Sequence, residues 1–293
     1  MYQHIYAKNL NTHKVAVIQM VSCGAVGPNL ITAKSLIQKA VDQGAGLIIL
    51  PENFAYVPNH SNLNSNSNSN SNSLSCVAEI LGAGRIQDWA SRISQELGIW
   101  LVAGGLPLVL SDQSYAHASL LFNSEGNLAG HYEQLHVLDF LNGLDGLDCL
   151  DLNFKNYQAG QKPVVIKTPF GNLGLAIGED LRFPSLFLKL RELGADMICV
   201  SAGFTRKQGL NHWKPLLLAR AIENQCYVLA ANQGGVHDNG CETLGSSMII
   251  NPLGLTQSHV DIGPGLALGE IDLLQLQILR EEYPIFNFHR KFD

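Results

Sequence analysis

The sequence predicts a single α/β domain built on a mixed sheet or on two packed sheets. Strand-like apolar runs alternate with amphipathic helical segments towards both ends of the chain. Hairpin-like strand pairs lie between them. No linker divides residues 1–293, and no internal repeat is long enough for a solenoid.

The elements follow in order. HKVAVIQM at 13–20 has the apolar density of a buried strand. LITAKSLIQKAVDQGA places Leu30, Ala33, Leu36, Ile37, Ala40 and Val41 on one helical face. GLIILPE is a short apolar strand ending in the carboxylate of Glu52. RIQDWASRISQELG repeats the helical period and is closed by Gly98, a residue suited to a helix C-terminus. IWLVAGGLPLV, SLLFNSEG and HYEQLHVL read as strands. PVVIKTPFGNLGLAIG reads as a hairpin around Pro169-Phe170-Gly171-Asn172. SLFLKLREL then predicts a helix, ADMICVSAG a buried strand, HWKPLLLARAIENQ a helix and YVLAANQG a strand. SMIINPLG and LALGEID complete the set.

The bulk properties narrow the function. Of the 293 residues, 46% are hydrophobic and 15% charged, which leaves ample material for a core. A net charge of −6 argues against nucleic acid or an anionic membrane as the main partner. The N-terminus does not read as a secretory signal, and no apolar run approaches the length of a membrane span. The six cysteines lack metal-type spacing, so reduced thiols and a cytoplasmic location are expected. Residues 61–74 alternate Asn and Ser, a composition that cannot bury apolar area against the entropy of ordering. They read as a loop insertion of no chemical role rather than as a lid over Glu52.

Several stretches carry a resemblance. They are LIILPENF at 47–54, HYEQLHVLDF at 131–140, GNLGLAIGEDLRFPSL at 171–186, HWKPLLLARAIENQCYVLAANQGG at 212–235 and ETLGSSMIINPLG at 242–254. With the closing YPIFNFHRKFD, their order and spacing resemble the nitrilase (carbon–nitrogen hydrolase) superfamily, and within it the Nit-type amidases. The resemblance implies a four-layer α-β-β-α sandwich assembled as a homodimer or larger. It also implies hydrolysis of non-peptide C–N bonds without metal or organic cofactor, by a Glu, a Lys and a Cys. In that chemistry the thiolate forms an acyl-enzyme. The glutamate moves protons, and the lysine helps to stabilise the oxyanion.

Carried over position by position, the resemblance gives an incomplete site. Glu52 keeps the base position. Gln134 takes the lysine position, Gly178 the nucleophile position and, on a looser match, Asn153 that of a second glutamate. His136, Asp139, Asp180 and Arg182 match motif positions that look structural, His136 and Asp139 as a pair. Glu179, Phe204 and Trp213 are candidate ligand contacts, although Trp213 and Arg220 read equally well as a core aromatic and a buried ion pair. Glycine offers no nucleophile and glutamine no charge. Without a neighbouring ammonium the Glu52 pKa is expected to rise, with Gln134 hydrogen-bonded to Glu52.

Other chemistries fare worse. Cys199 reads as a buried small hydrophobe rather than a displaced nucleophile. A Glu52–Glu179 carboxylate pair acting on bound water has no sugar site to serve. His131, His136, Asp139, Glu179 and Asp180 do not follow the spacing of a standard metal site, so no metal is expected. The expected protein is a pseudoenzyme that binds a small amide or carboxylate ligand or acts as a regulatory subunit. The alternatives are an active amidase of small ω-amides using an unorthodox residue, and a purely structural product with no ligand.

Overall fold

The computed structural model describes residues 12–58, 77–137 and 157–288. The Asn/Ser stretch 61–74, Asn153 and Asp139 lie outside these residues.

The first sheet joins six strands in the order β14-β1-β2-β3-β4-β5. They are β1 (His13–Gln19), β2 (Leu47–Ile49), β3 (Trp100–Val109), β4 (Tyr115–Phe122), β5 (Leu128–Glu133) and β14 (Gly265–Ile271). The second has the order β13-β12-β9-β8-β7-β6. Its strands are β6 (Val165–Thr168), β7 (Gly171–Ile177), β8 (Met197–Ala202), β9 (Tyr227–Asn232), β12 (Met248–Ile250) and β13 (Thr256–His259). Each sheet has a parallel centre, β1-β2-β3 or β7-β8-β9, with antiparallel strands outside it. A hairpin of β10 (Gly234–Val236) and β11 (Glu242–Leu244) stands apart from both.

Strand periodicity assigns the faces. Val15 and Val17 of β1 join the core shared with the second sheet, whereas Ala16 and Ile18 face the helix side. That side is covered by α1 (Val26–Asp42) and α2 (Arg85–Leu97), through Leu30, Ala33, Ile37, Ile86, Ala90 and Ile93. The second sheet is covered on its outer face by α3 (Pro184–Glu192) and α4 (Arg206–Asn224), through Phe187, Leu190, Trp213 and Leu217. The result is the four-layer α-β-β-α sandwich, with the main core between and outside the sheets. Helix α5 (Leu273–Glu282) follows β14.

Most expected elements form, with informative differences. Gly98 closes α2 in the left-handed conformation, at φ +64. The hairpin turn tightens to Pro169-Phe170, because Thr168 already pairs with Gly171. Strand β5 ends at Glu133, before the expected limit, and the chain then turns towards Asp180. Helix α4 begins before His212, at Arg206, because the Thr205 hydroxyl accepts the Gln208 N–H as an N-cap. The β10–β11 hairpin and α5 were not anticipated, although Asp272, whose carboxylate accepts the Gln275 N–H, is an N-cap signal for α5. Cys241 is disulfide-bonded, which departs from the expectation of reduced thiols throughout. Cys23, Cys199 and Cys226 are free. Among the described residues no helix is long and apolar enough to cross a membrane.

Candidate functional site

The two parallel strand centres bring their C-terminal ends together, the place where α/β sheets commonly present ligand-binding loops. Glu52 follows β2, Gly178 follows β7 and Gly203 follows β8. Strand β4 adds His117 from the neighbouring edge, and Gln134, the residue after β5, donates its backbone N–H to the His117 carbonyl. Glu52, Gln134 and Gly178, brought to one list by the resemblance, therefore meet at one place in the fold. Asn153 lies outside the described residues.

Glu52 is held from its backbone outward. Gln233 Nε2 donates to the Glu52 carbonyl at 2.9 Å and to Ser22 Oγ at 2.9 Å. The side chain is only 11% exposed. Burial pushes its pKa up to about 8, and repulsion from Glu179 adds to this. A hydrogen bond from the Gly203 backbone acts in the opposite direction, while Asp180 raises the value further. The rise expected on losing a neighbouring ammonium is thus dominated by desolvation.

Gly178 lies directly beside this carboxyl. A Cβ built on Gly178 would sit 2.8 Å from Glu52 Oε2, and φ is +46, in the left-handed region that glycine enters without penalty. No side chain other than hydrogen fits there unless Glu52 moves.

Gln134 does not bond Glu52 as expected. Its Nε2 donates to the Ile177 carbonyl at 3.2 Å, and its Oε1 faces His117 Nδ1 at 3.1 Å. The neighbour of Glu52 is instead His117, whose Nδ1 lies 3.4 Å from Glu52 Oε1. His117 is fully buried. It is the residue that the sequence reading passed over. The missed signal is parity: His117 shares its strand face with Leu121, a core residue, while Leu120 faces the helices.

Asp180 ties the layer together. Buried at 0% exposure, it accepts hydrogen bonds from Tyr132 Oη at 2.7 Å and from the Ile177 N–H at 3.0 Å. It also accepts from the His136 N–H at 3.1 Å and from His136 Nδ1 at 2.8 Å. These bonds stitch the chain after β5 to the turn after β7, and so fix Gln134 against Gly178. The observed partner of His136 is Asp180, and the expected partner, Asp139, is outside the described residues. His136 also stacks on Phe183 with centroids 3.7 Å apart.

The candidate ligand contacts divide. Glu179 is partly accessible but ion-paired with Arg182, whose Nη1 also lies 3.0 Å from His212 Nδ1. Phe204 is buried, beneath the Arg182 guanidinium at 5.1 Å and 5.2 Å from the Trp213 ring. Trp213 is 0% exposed and gives its indole N–H to the Ser246 carbonyl at 2.8 Å. Its ligand-contact reading is therefore corrected to a core aromatic. Arg220 is likewise structural, bonded to the Leu181 carbonyl and to Glu223. Cys199 is fully buried in β8, with its thiol pushed up to about 12 by burial, and is no displaced nucleophile. No group of three or more His, Cys, Asp or Glu among the described residues is placed to hold a metal ion.

Comparison with known proteins adds independent findings. A family model described as carbon-nitrogen hydrolase matches residues 14–281. The chain is 35% identical over 285 residues to deaminated glutathione amidase of Mus musculus, covering 95% of this chain and 83% of that protein. It is 35% identical over 288 residues to deaminated glutathione amidase of Synechocystis sp., covering 97% of this chain and 100% of that protein. The crystal structure of the C. elegans NitFhit protein superposes with a TM-score of 0.81 at 32% identity, covering 95% of this chain and 65% of that one.

Proposed function

This chain belongs to the carbon–nitrogen hydrolase family, in its Nit-type branch, and we propose that it keeps the family's pocket as a ligand site without cysteine-based hydrolysis. The observation that carries this is the contact between Gly178 and Glu52. The residue facing the base offers no nucleophilic atom, and the base's own carboxyl closes to 2.8 Å of where a Cβ would stand. Gln134 brings no charge and is occupied by His117 and Ile177. Losing an oxyanion donor costs about 10²–10³ in rate. Losing the nucleophile leaves only the residual catalysis of binding.

The ligand proposed is a small ω-amide or a related carboxylate, held as a regulatory or carrier ligand. The second reading is an amidase working through an unorthodox residue. It is favoured by one finding, that relatives sharing about a third of their residues are named amidases.

One experiment separates these readings: titration calorimetry of the purified protein with a panel of ω-amides and matching dicarboxylates, followed by ammonia assay of the same samples. Heat without ammonia is the expected result. Ammonia at enzyme-like rates selects the second reading, and neither signal leaves a scaffold with no ligand from this panel.

A further inference from the structure

We propose that His117 is a positioning residue that holds the Glu52 carboxyl against Gly178 by sharing its Nδ1 proton between Gln134 Oε1 and Glu52 Oε1. The inference deepens the ligand-site reading and takes its functional meaning from it.

The geometry fixes the direction of each bond. The Ile177 carbonyl can only accept, so the Gln134 atom 3.2 Å from it must be the amide nitrogen. That leaves Gln134 Oε1, an acceptor, facing His117 Nδ1 at 3.1 Å. Nδ1 must therefore carry the imidazole proton. The same nitrogen lies 3.4 Å from Glu52 Oε1, within reach of a shared, longer contact. On the other edge of the ring, Nε2 is buried and has no well-formed hydrogen bond among the described residues. It packs against Gly105, where an added Cβ would come within 3.0 Å.

The charges around Glu52 agree with an uncharged unit. From the turn after β7 come Glu179, paired with Arg182, and the hydrogen-bonded Asp180. From the residue after β5 comes neutral Gln134, from β4 His117, and from the residue after β8 the Gly203 backbone. Burial lowers the His117 pKa, against smaller raising effects of Gln134, the Gly105 backbone and Asp180. Burial raises that of Glu52. Glu52, His117 and Gln134 are consequently neutral together near pH 7. Among the described residues a site of this kind offers paired donors and acceptors to a neutral amide, and its nearest cation, Arg182, is paired with Glu179.

The test is spectroscopic and needs no ligand. Nitrogen NMR of 15N-histidine protein reads the tautomer of each ring, with His117 assigned by its loss in His117→Phe. Carbon NMR of 13C-glutamate protein reads the Glu52 midpoint, assigned by Glu52→Gln. The expected wild-type result is a neutral His117 protonated at Nδ1. In His117→Phe the Glu52 midpoint should rise by about one pH unit, because a donor to the carboxylate is gone. In His117→Asn it should return towards wild type, since the amide nitrogen can stand where Nδ1 stood. A wild-type His117 protonated at Nε2 overturns the proposal, as does a Glu52 midpoint unchanged in His117→Phe. Should His117→Phe fail to fold, the wild-type tautomer and the Asn variant still decide. Failure of every panel amide to bind would remove the ligand-site reading, while the tautomer and midpoint would still judge the positioning one.

Discussion

Replacing Glu52 by Gln should stabilise the protein increasingly as pH rises. In the folded chain the Glu52 pKa lies near 8, against an ordinary 4.5. Between these values the unfolded chain has released the proton and the folded chain still binds it. Stability therefore falls with rising pH across this window and changes little from this group below it. From pH 4.5 to pH 7 the loss is on the order of 3 kcal/mol, at about 1.4 kcal/mol per unit. Gln keeps the shape and cannot ionise. Any fixed loss from an ill-matched amide is the same at every pH, so the slope of the difference matters rather than its offset. For a chain of this size, 1 kcal/mol moves the melting temperature by about 2 °C. The advantage of Glu52→Gln over wild type should therefore grow by about 6 °C between pH 4.5 and 7, and continue to grow towards pH 8. Differential scanning fluorimetry of both proteins across that range measures it. A difference that stays flat would show that Glu52 titrates like an exposed carboxyl, and would remove the buried, uncharged site described above.

Other perturbations have equally definite outcomes. Gly178→Ala should cost about 2 kcal/mol in urea denaturation, from the left-handed backbone and from contact with Glu52 Oε2, and part of that loss should vanish in a Glu52→Ala background. Asp180→Ala should destabilise by about 3 kcal/mol or more, since it strips four donors of a buried acceptor, whereas Tyr132→Phe should cost about 1 kcal/mol. A double-mutant cycle in urea between Asp180 and Tyr132 should show positive coupling. In calorimetry an ω-amide should bind more tightly than its matching acid at pH 7. That amide affinity should fall about tenfold per pH unit once Glu52 ionises above about 8.

How much of this could be read from the chain depends on the kind of signal. Runs such as VAVI at 15–18 and MICV at 197–200 announce buried strands, because their residues face cores on both sides. The sandwich was reached through resemblance. Periodicity alone left one mixed sheet or two equally open, since it does not say which strands pair. Glu52, Gln134 and Gly178 were found by motif position, and the fold gathers them. His117 was not, because a histidine between Ala116 and Ala118 carries no motif, and its partner Gln134 becomes its neighbour only through strand register. The same limit explains Trp213. Helix spacing says that it is buried, but which carbonyl takes its indole proton depends on the turn at Ser246, far along the chain. Helix α5 escaped notice because LLQLQILREE is apolar without a clean stripe, and just Leu276 and Leu279 are buried.

The most direct test of a retained fold without cysteine chemistry is ammonia release from small ω-amides by the purified wild-type protein, run beside Glu52→Gln. We expect both proteins to stay at the level of the buffer blank. A wild-type rate of the ordinary enzymatic order, about 1 s⁻¹ or faster, that disappears in Glu52→Gln would contradict this, and would mean that Glu52 serves a nucleophile other than residue 178.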